Sequence, residues 1–439
     1  MIELLLATST HIAPMPGPPS VQYETVGPRA IEFASRDPAG GLFLIAVAVV
    51  FLALPLVPLV LSSRIRSIAR NTFFESIRQP IVLVVLVAAT IFLILSNPLS
   101  AFTMEDDQRM MIDIGMATVF LCGALLAAFV ATGVLTREIE NKTALTVISK
   151  PVSRPLFVVG KFIGVAGALT LCTLYMCFVF LLVELHTVLE TVRDPIHLPV
   201  ITFGVGAVVI GLAAAVWCNY FYGRVFSSTA ICIMTPLVAL AYFFSLLFNE
   251  HFVPQPIGTD FKPDLWLALF SLLLAILVLT AIAIAASARL GQVLTLCVTI
   301  GVLLLGLLSD WLIGRPIKAL EDVWLQRAAA AGQTETVEVV KTFILNTGEV
   351  QRSPTPEMHE IATVPLTAMA HGLERLEHGL LWVAYSILPN FQVLWLSDAL
   401  TQSHRIPMAH VALTGLYGLF YIGVALSLAI ILFQRREVG

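Results

Sequence analysis

Three groups of residues have the types and spacing to do chemistry. Arg137, Glu138, Glu140, Lys142, Lys150, Arg154 and Lys161 crowd into one stretch, REIENKTALTVISKPVSRPLFVVGK, between two long apolar runs. Basic residues retained in a short loop mark the cytoplasmic side of a membrane protein. Thr143 is placed to cap a short helix there, Leu145, Val147 and Ile148 can share one side of it, and Pro151 must end it. The second group, His371, Glu374 and His378, stands at i, i+3 and i+7. One helix face would then offer two imidazoles and a carboxylate to copper or zinc, although ordinary solvated helix faces show the same spacing. The third is Gly160-Lys161, the end of a phosphate-cradling loop in proteins that hydrolyse nucleotides. Here Phe162 follows the lysine and Pro155 stands where the first glycine belongs, so this chain carries no such loop. Nucleophile–base pairs and basic patches interleaved with aromatics are also missing from the sequence. An enzyme and a nucleic-acid partner are therefore not expected.

The elements that position these groups follow from composition. Of 439 residues, 58% are hydrophobic and only 12% charged, which excludes a soluble globule and predicts an all-α polytopic membrane protein. The net charge of −4 matters less than where the charges sit. All six cysteines lie inside apolar runs, where they act as small packing residues rather than a disulfide framework. The opening MIELLLATST is too short and too poor in basic residues for a secretory signal. Residues 1–40, punctuated by six prolines, are expected to be a mostly disordered outer N-terminus.

In chain order, an extra span is predicted at 41–62 and an amphipathic helix at 63–80. In that helix Ile65, Ile68, Ala69, Phe73 and Ile77 recur at helical spacing opposite Arg64, Arg66, Arg70, Glu75 and Arg78. This is the pattern of a helix lying in the membrane interface, and a basic face of this kind can also hold anionic lipid. Spans follow at 81–96, 112–135, 157–183, 201–222 and 229–248, then a two-span hairpin within 265–312. A segment at 313–409 precedes the last span and tail at 410–439. Gly160 and Gly164 have the spacing that permits close helix contact. The total is about eight spans, with the N-terminus outside and the C-terminus inside by the distribution of basic residues in short loops. The 313–409 segment reads as a small outer α+β cap: a helix at 317–331, a strand pair with Val337, Val339, Phe343 and Leu345 alternating, and a long helix from Met358 to Leu388. Asp113 and Asp310 lie near span ends, which disfavours ion-coupled transport through a charge at the midplane.

The motif-bearing stretch resembles the permease subunits of type-2 ATP-binding-cassette (ABC) transporters, in the branch that includes multicopper-enzyme-maturation permeases. It has the family's acidic pair (Glu138, Glu140), Thr143, the run Ser149-Lys150-Pro151-Val152-Ser153-Arg154, and Gly160-Lys161. The run from Phe73 through Glu75 to Arg78 matches the end of the family's elbow helix. Leu388-Pro389-Asn390-Phe391 and the closing Phe433 and Arg435-Arg436-Glu437 match its C-terminal signature. The resemblance covers residues 68–250 and 387–438. It leaves out the first span, the hairpin and most of the cap. It implies a six-helix core in 81–250 and 410–439, and a coupling helix at 137–154 with Glu138, Glu140, Thr143, Leu145, Ile148, Pro151 and Arg154 facing a separate ATPase subunit. It also implies that ATP and Mg are held by that partner with no cofactor bound here. The chain would work as a homodimer or with a paralogous permease, in a bacterial cytoplasmic membrane. Outside that family, a non-transporting membrane scaffold and, more remotely, a secondary carrier are the alternatives.

Overall fold

The structure is a computed structural model that describes residues 21–25, 63–101, 107–140, 154–188, 196–344, 350–352, 357–363, 365–401, 406 and 408–434. Residues 134–140, 398, 409 and the strands, except Thr334, are described by their backbone alone. The expected coupling residues Thr143, Leu145, Ile148 and Pro151, the 41–62 run and the 435–437 tail lie outside the described residues.

Eight helices among the described residues are long and apolar enough to cross a membrane. Amphipathic α1 (Ser63–Ile77) comes first, then α2 (Pro80–Ser100), α3 (Asp107–Glu140), α4 (Arg154–His186), α5 (Leu198–Tyr222) and α6 (Phe226–Ser245). They are followed by α7 (Pro263–Ser287) and α8 (Gln292–Ser309). A π turn at Asp310–Gly314 carries α8 directly into α9 (Arg315–Ala330), where the sequence suggested a separate helix. The remaining helices are α10 (Glu374–Ile387), α11 (Ser397–Thr401) and α12 (Met408–Gln434). Prolines in the first turn start α2, α5, α7 and α9, where the missing N–H costs no hydrogen bond. Gly223, at φ 60°, closes α5 by donating its N–H to the Asn219 carbonyl, a left-handed cap that suits glycine.

The chain divides into two compact units, with boundaries inside α8 at 301/302 and inside α12 at 414/415. In the larger unit, α3, α4 and α7 are the most enclosed helices, whereas α2 and α5 turn most of their side chains outward. Helix α1 lies along the start of α4. A side-chain carbon placed on Gly164 would come within 2.6 Å of both the Ala69 carbonyl oxygen and the Thr72 Cβ. One placed on Gly160 would lie 3.0 Å from Ile68. The expected close contact is therefore made, and its partner is α1. The buried side of α1 is Ile65, Ala69, Thr72, Ser76 and Ile77, which agrees with the apolar spacing, and Arg64, Arg66, Arg70, Glu75 and Arg78 face outward.

The smaller unit contains the one sheet seen among the described residues. Strand β2 (Thr334–Ile344) pairs in parallel with β1 (Val21–Thr25) and antiparallel with β3 (Val350–Arg352) and β4 (Glu357–Ala362). Two expectations are corrected here. Val21–Thr25, in the stretch expected to be disordered, is a strand aligned from Val21↔Glu338 to Thr25↔Thr342. Met358, expected to open a long helix, belongs to β4, and the helix begins only at Glu374, after Pro365 and a left-handed Gly372 at φ 46°.

The α1–α4 contact yields a test. Gly164→Ala is expected to destabilise the protein in detergent micelles by about 1–3 kcal/mol through overpacking, despite alanine's helix preference. Gly167→Ala would place its Cβ at 3.5 Å from Phe73, ordinary contact, and is expected to leave the unfolding temperature unchanged or raise it.

Candidate functional site

Five of the residues that carry the family resemblance, Phe73, Glu75, Arg154, Lys161 and Phe433, meet at one end of the larger unit. Helix α3 is 34 residues long, about 50 Å, against the roughly 30 Å of a hydrocarbon core. Glu138 and Glu140 sit in its last turn. Helix α4 begins at Arg154, whose guanidinium donates to the carbonyl oxygen of Gln434 at the end of α12, 2.7 Å away. One turn on, Phe157 stacks on Phe433 with ring centres 5.8 Å apart. The end of α12, with Phe433 of the C-terminal match, is thereby held against the start of α4, and Arg154 and Gln434 are 280 residues apart in sequence.

Lys161 is not a loop residue as expected. It is buried on α4, with its ammonium 3.5 Å from the Glu75 carboxylate and 5.8 Å from the Phe157 ring centre. The elbow match and the Gly-Lys match are thus two halves of one contact. Phe73 packs its ring edge-on to Phe74 and lies beside Gly167 of α4. Arg66, Arg70 and Arg78 stay exposed along α1 and, together with Arg224 from the α5–α6 turn, line a polar groove of about 730 Å³.

At the far end of α4 is a second charged contact that the sequence did not signal. Glu184 is 3% exposed, and its carboxylate accepts from Gln108 at 3.2 Å and from Lys262 just before α7. Asn97 of α2 donates to the Thr187 carbonyl at 2.6 Å, and Thr187 takes a left-handed φ of 61° to end α4. His197, at the start of α5, accepts from the Val200 N–H at 3.4 Å. Burial lowers its pKa, while Asp260 and Glu250 act in the opposite sense. Between α2, α4, α5 and α6 lies an apolar cavity of about 520 Å³, bounded by Thr90, Ile94, Tyr175, Val205 and Val208, with Asn97 and His186 at its polar end. Thr90 and Tyr175 share a hydrogen bond of 3.1 Å across its wall.

The candidate metal residues lie in the smaller unit and do other work there. Glu374 takes two hydrogen bonds from Arg327, at 2.6 and 2.8 Å, one from the Trp324 indole at 3.0 Å and one from the His371 N–H at 3.1 Å. His371 precedes the helix rather than sharing its face, and His378 lies 3.1 Å from Glu321. No group of three or more His, Cys, Asp or Glu able to hold a metal is formed among the described residues. Asp113 meets the Ser397 hydroxyl, and Asp310 lies 3.8 Å from Lys318. Asn390 of the C-terminal signature closes a turn, accepting from the Gln392 N–H at 2.9 Å and donating to the Tyr385 hydroxyl at 2.8 Å.

No family model, curated protein or solved structure matches this chain.

Two outcomes test these contacts. Glu75→Gln withdraws the counter-charge from a buried ammonium, so a cycle with Lys161→Met should show coupling of about 1 kcal/mol by thermal unfolding. In the smaller unit, the Arg327 hydrogen bonds, then the His371 N–H and the Trp324 indole, hold the Glu374 carboxyl well below the usual carboxylate range. A lowered folded pKa contributes stability that is full above the unfolded value of about 4.3 and is lost as pH falls towards the folded one. Wild type and Glu374→Gln should therefore show parallel stability from pH 5 to 7, and only wild type should lose this contribution between pH 5 and 2.

Proposed function

We propose that the chain is the membrane-spanning permease subunit of a type-2 ABC transporter. It moves a substrate using ATP hydrolysed, with Mg, on a separate subunit. It pairs as a homodimer or with a paralogous permease, in a bacterial cytoplasmic membrane. The observation that carries the reading is the convergence of the resembling residues. Phe73 and Glu75 on α1, Arg154 and Lys161 on α4, and Phe433 on α12 are far apart in sequence and meet around the start of one helix.

The geometry also supports a way to transmit force. Helix α4 runs about 10 Å from Lys161 back to Arg154, so the segment between α3 and α4 is joined to helices that project past the level of the Lys161–Glu75 pair. A push on residues 141–153 would act directly on α4. Through its contacts it would also act on α1 and α12 at one end, and through Glu184 on α7 at the other. Packed helices held at both ends shift as bodies between discrete arrangements rather than bend continuously. An ATPase that binds one of those arrangements better than the other drives the change.

One observation favours a second reading, a secondary carrier: Glu184 is a buried carboxylate within an apolar helix, the kind of group that couples ions to transport. Its partner Lys262 precedes α7, so the charge is engaged at a helix end. Dependence on ATP separates the two readings.

A complex purified through this chain is expected to hydrolyse ATP in a vanadate-sensitive manner. Glu140→Lys places like charges at the proposed contact, which can cost several kcal/mol, whereas an exposed charge changes folding by only about 0.5 kcal/mol. The variant should insert normally and lose either the co-purifying ATPase or the coupling of hydrolysis to transport. Normal ATPase binding and full transport in both Glu140→Lys and Leu145→Asp would overturn the reading.

A further inference from the structure

The groove beside α1 has features that the transport reading does not use. Arg66, Arg70, Phe74 and Arg78 recur every fourth residue, so they form a row along α1, and Arg224 faces them from the α5–α6 turn. Each wall is fixed in place. Gly223 in its left-handed conformation and a 2.6 Å hydrogen bond from the Asn219 amide to the Arg224 carbonyl set the turn. The Ser227 hydroxyl reaches the Arg78 carbonyl at 3.5 Å and ties the end of α1 to α6. The Arg78 guanidinium lies 5.7 Å from the Phe74 ring centre. Glu75, the carboxylate of the lining, has Lys161 3.5 Å away on α4. The four guanidiniums therefore give the groove a strong net positive potential, and a guanidinium offers a planar fork that matches phosphate.

Depth in the membrane is marked independently. Immediately before Gly223, Trp217, Tyr220, Phe221 and Tyr222 are all more than half exposed, and amphipathic aromatic rings collect at the headgroup level. Helix α1 has the pattern of an interfacial helix, with arginines outward and apolar residues against α4. An arginine-lined groove at headgroup depth, with apolar helix faces beside it, has the chemistry of a lipid phosphate with its chains alongside. At about 730 Å³ it is also far larger than a lone phosphate requires, and within the range of pockets that enclose organic ligands.

We propose that this groove binds the phosphodiester headgroup of an anionic phospholipid, with Arg70 and Arg224 gripping the phosphate from opposite walls. The proposal does not depend on the transporter reading. Its test is native mass spectrometry of the intact chain in detergent, loaded with phosphatidylglycerol or phosphatidylcholine. Wild type is expected to retain one phosphatidylglycerol at least tenfold better than phosphatidylcholine. Arg70→Gln/Arg224→Gln should abolish the preference, and Arg289→Gln, in the α7–α8 turn, should keep it. Arg70→Lys/Arg224→Lys, which preserves the charge, should retain part of it and shows that the loss is not misfolding. Equal retention of the two lipids by wild type, or an unchanged preference in the double glutamine variant, would overturn the proposal. So would inorganic phosphate binding to lipid-free protein with the same arginine dependence and displacing the lipid, which would make this a free-anion site. Loss of a co-purifying protein, rather than of lipid, in the glutamine variant would make it a protein-docking surface and equally overturn the proposal.

Discussion

The end of the molecule that bears the family resemblance depends on one close approach, that of α1 to the first turns of α4. It is possible because residues 160 and 164 lack side chains, and the gap at Gly164 does not admit even a methyl group without movement. That approach brings Glu75 within 3.5 Å of Lys161, and the pair allows an ammonium to be buried on an apolar helix. Removing one partner of a buried ion pair leaves an uncompensated buried charge, which is strongly destabilising. Packing and charge are therefore coupled here: the glycines make the ion pair reachable, and the ion pair makes the buried lysine tolerable.

Helix α4 carries charge at both ends and almost none between. Lys161 is met by Glu75 near one end and Glu184 by Gln108 and Lys262 near the other. The intervening length buries Phe162, Val165, Leu169, Met176 and Phe180 in the larger unit. The two polar contacts add directional anchors near its ends to the close packing between them.

The parts of this arrangement that the sequence reveals are those with local causes. Apolar runs gave the helices, first-turn prolines their starts, and 3.6-residue spacing the buried face of α1. The parts that stayed hidden depend on partners distant in the chain. Lys161 reads as one more loop cation until α1 is packed on it, and Glu184 pairs with a residue 78 positions later. Strand β4 lacks clean alternation and owes its conformation to antiparallel pairing with β2, a tertiary effect that overrides local preference. Pro365 and Gly372 were local signals against one long helix there. Glu374 illustrates the reverse error: its spacing from His371 and His378 suggests ligation, but the Arg327 fork, 47 residues earlier, satisfies the carboxylate instead.

The resembling residues consequently divide by what the fold already asks of them. Glu75, Arg154, Lys161 and Phe433 are engaged in holding α1, α4 and α12 together, so their residue types are explained without any partner. The stretch with Thr143, Leu145, Ile148 and Pro151 joins the ends of two helices, one of them an α4 already fixed by those contacts. The coupling role proposed for that stretch therefore rests on its sequence and not on any of these contacts.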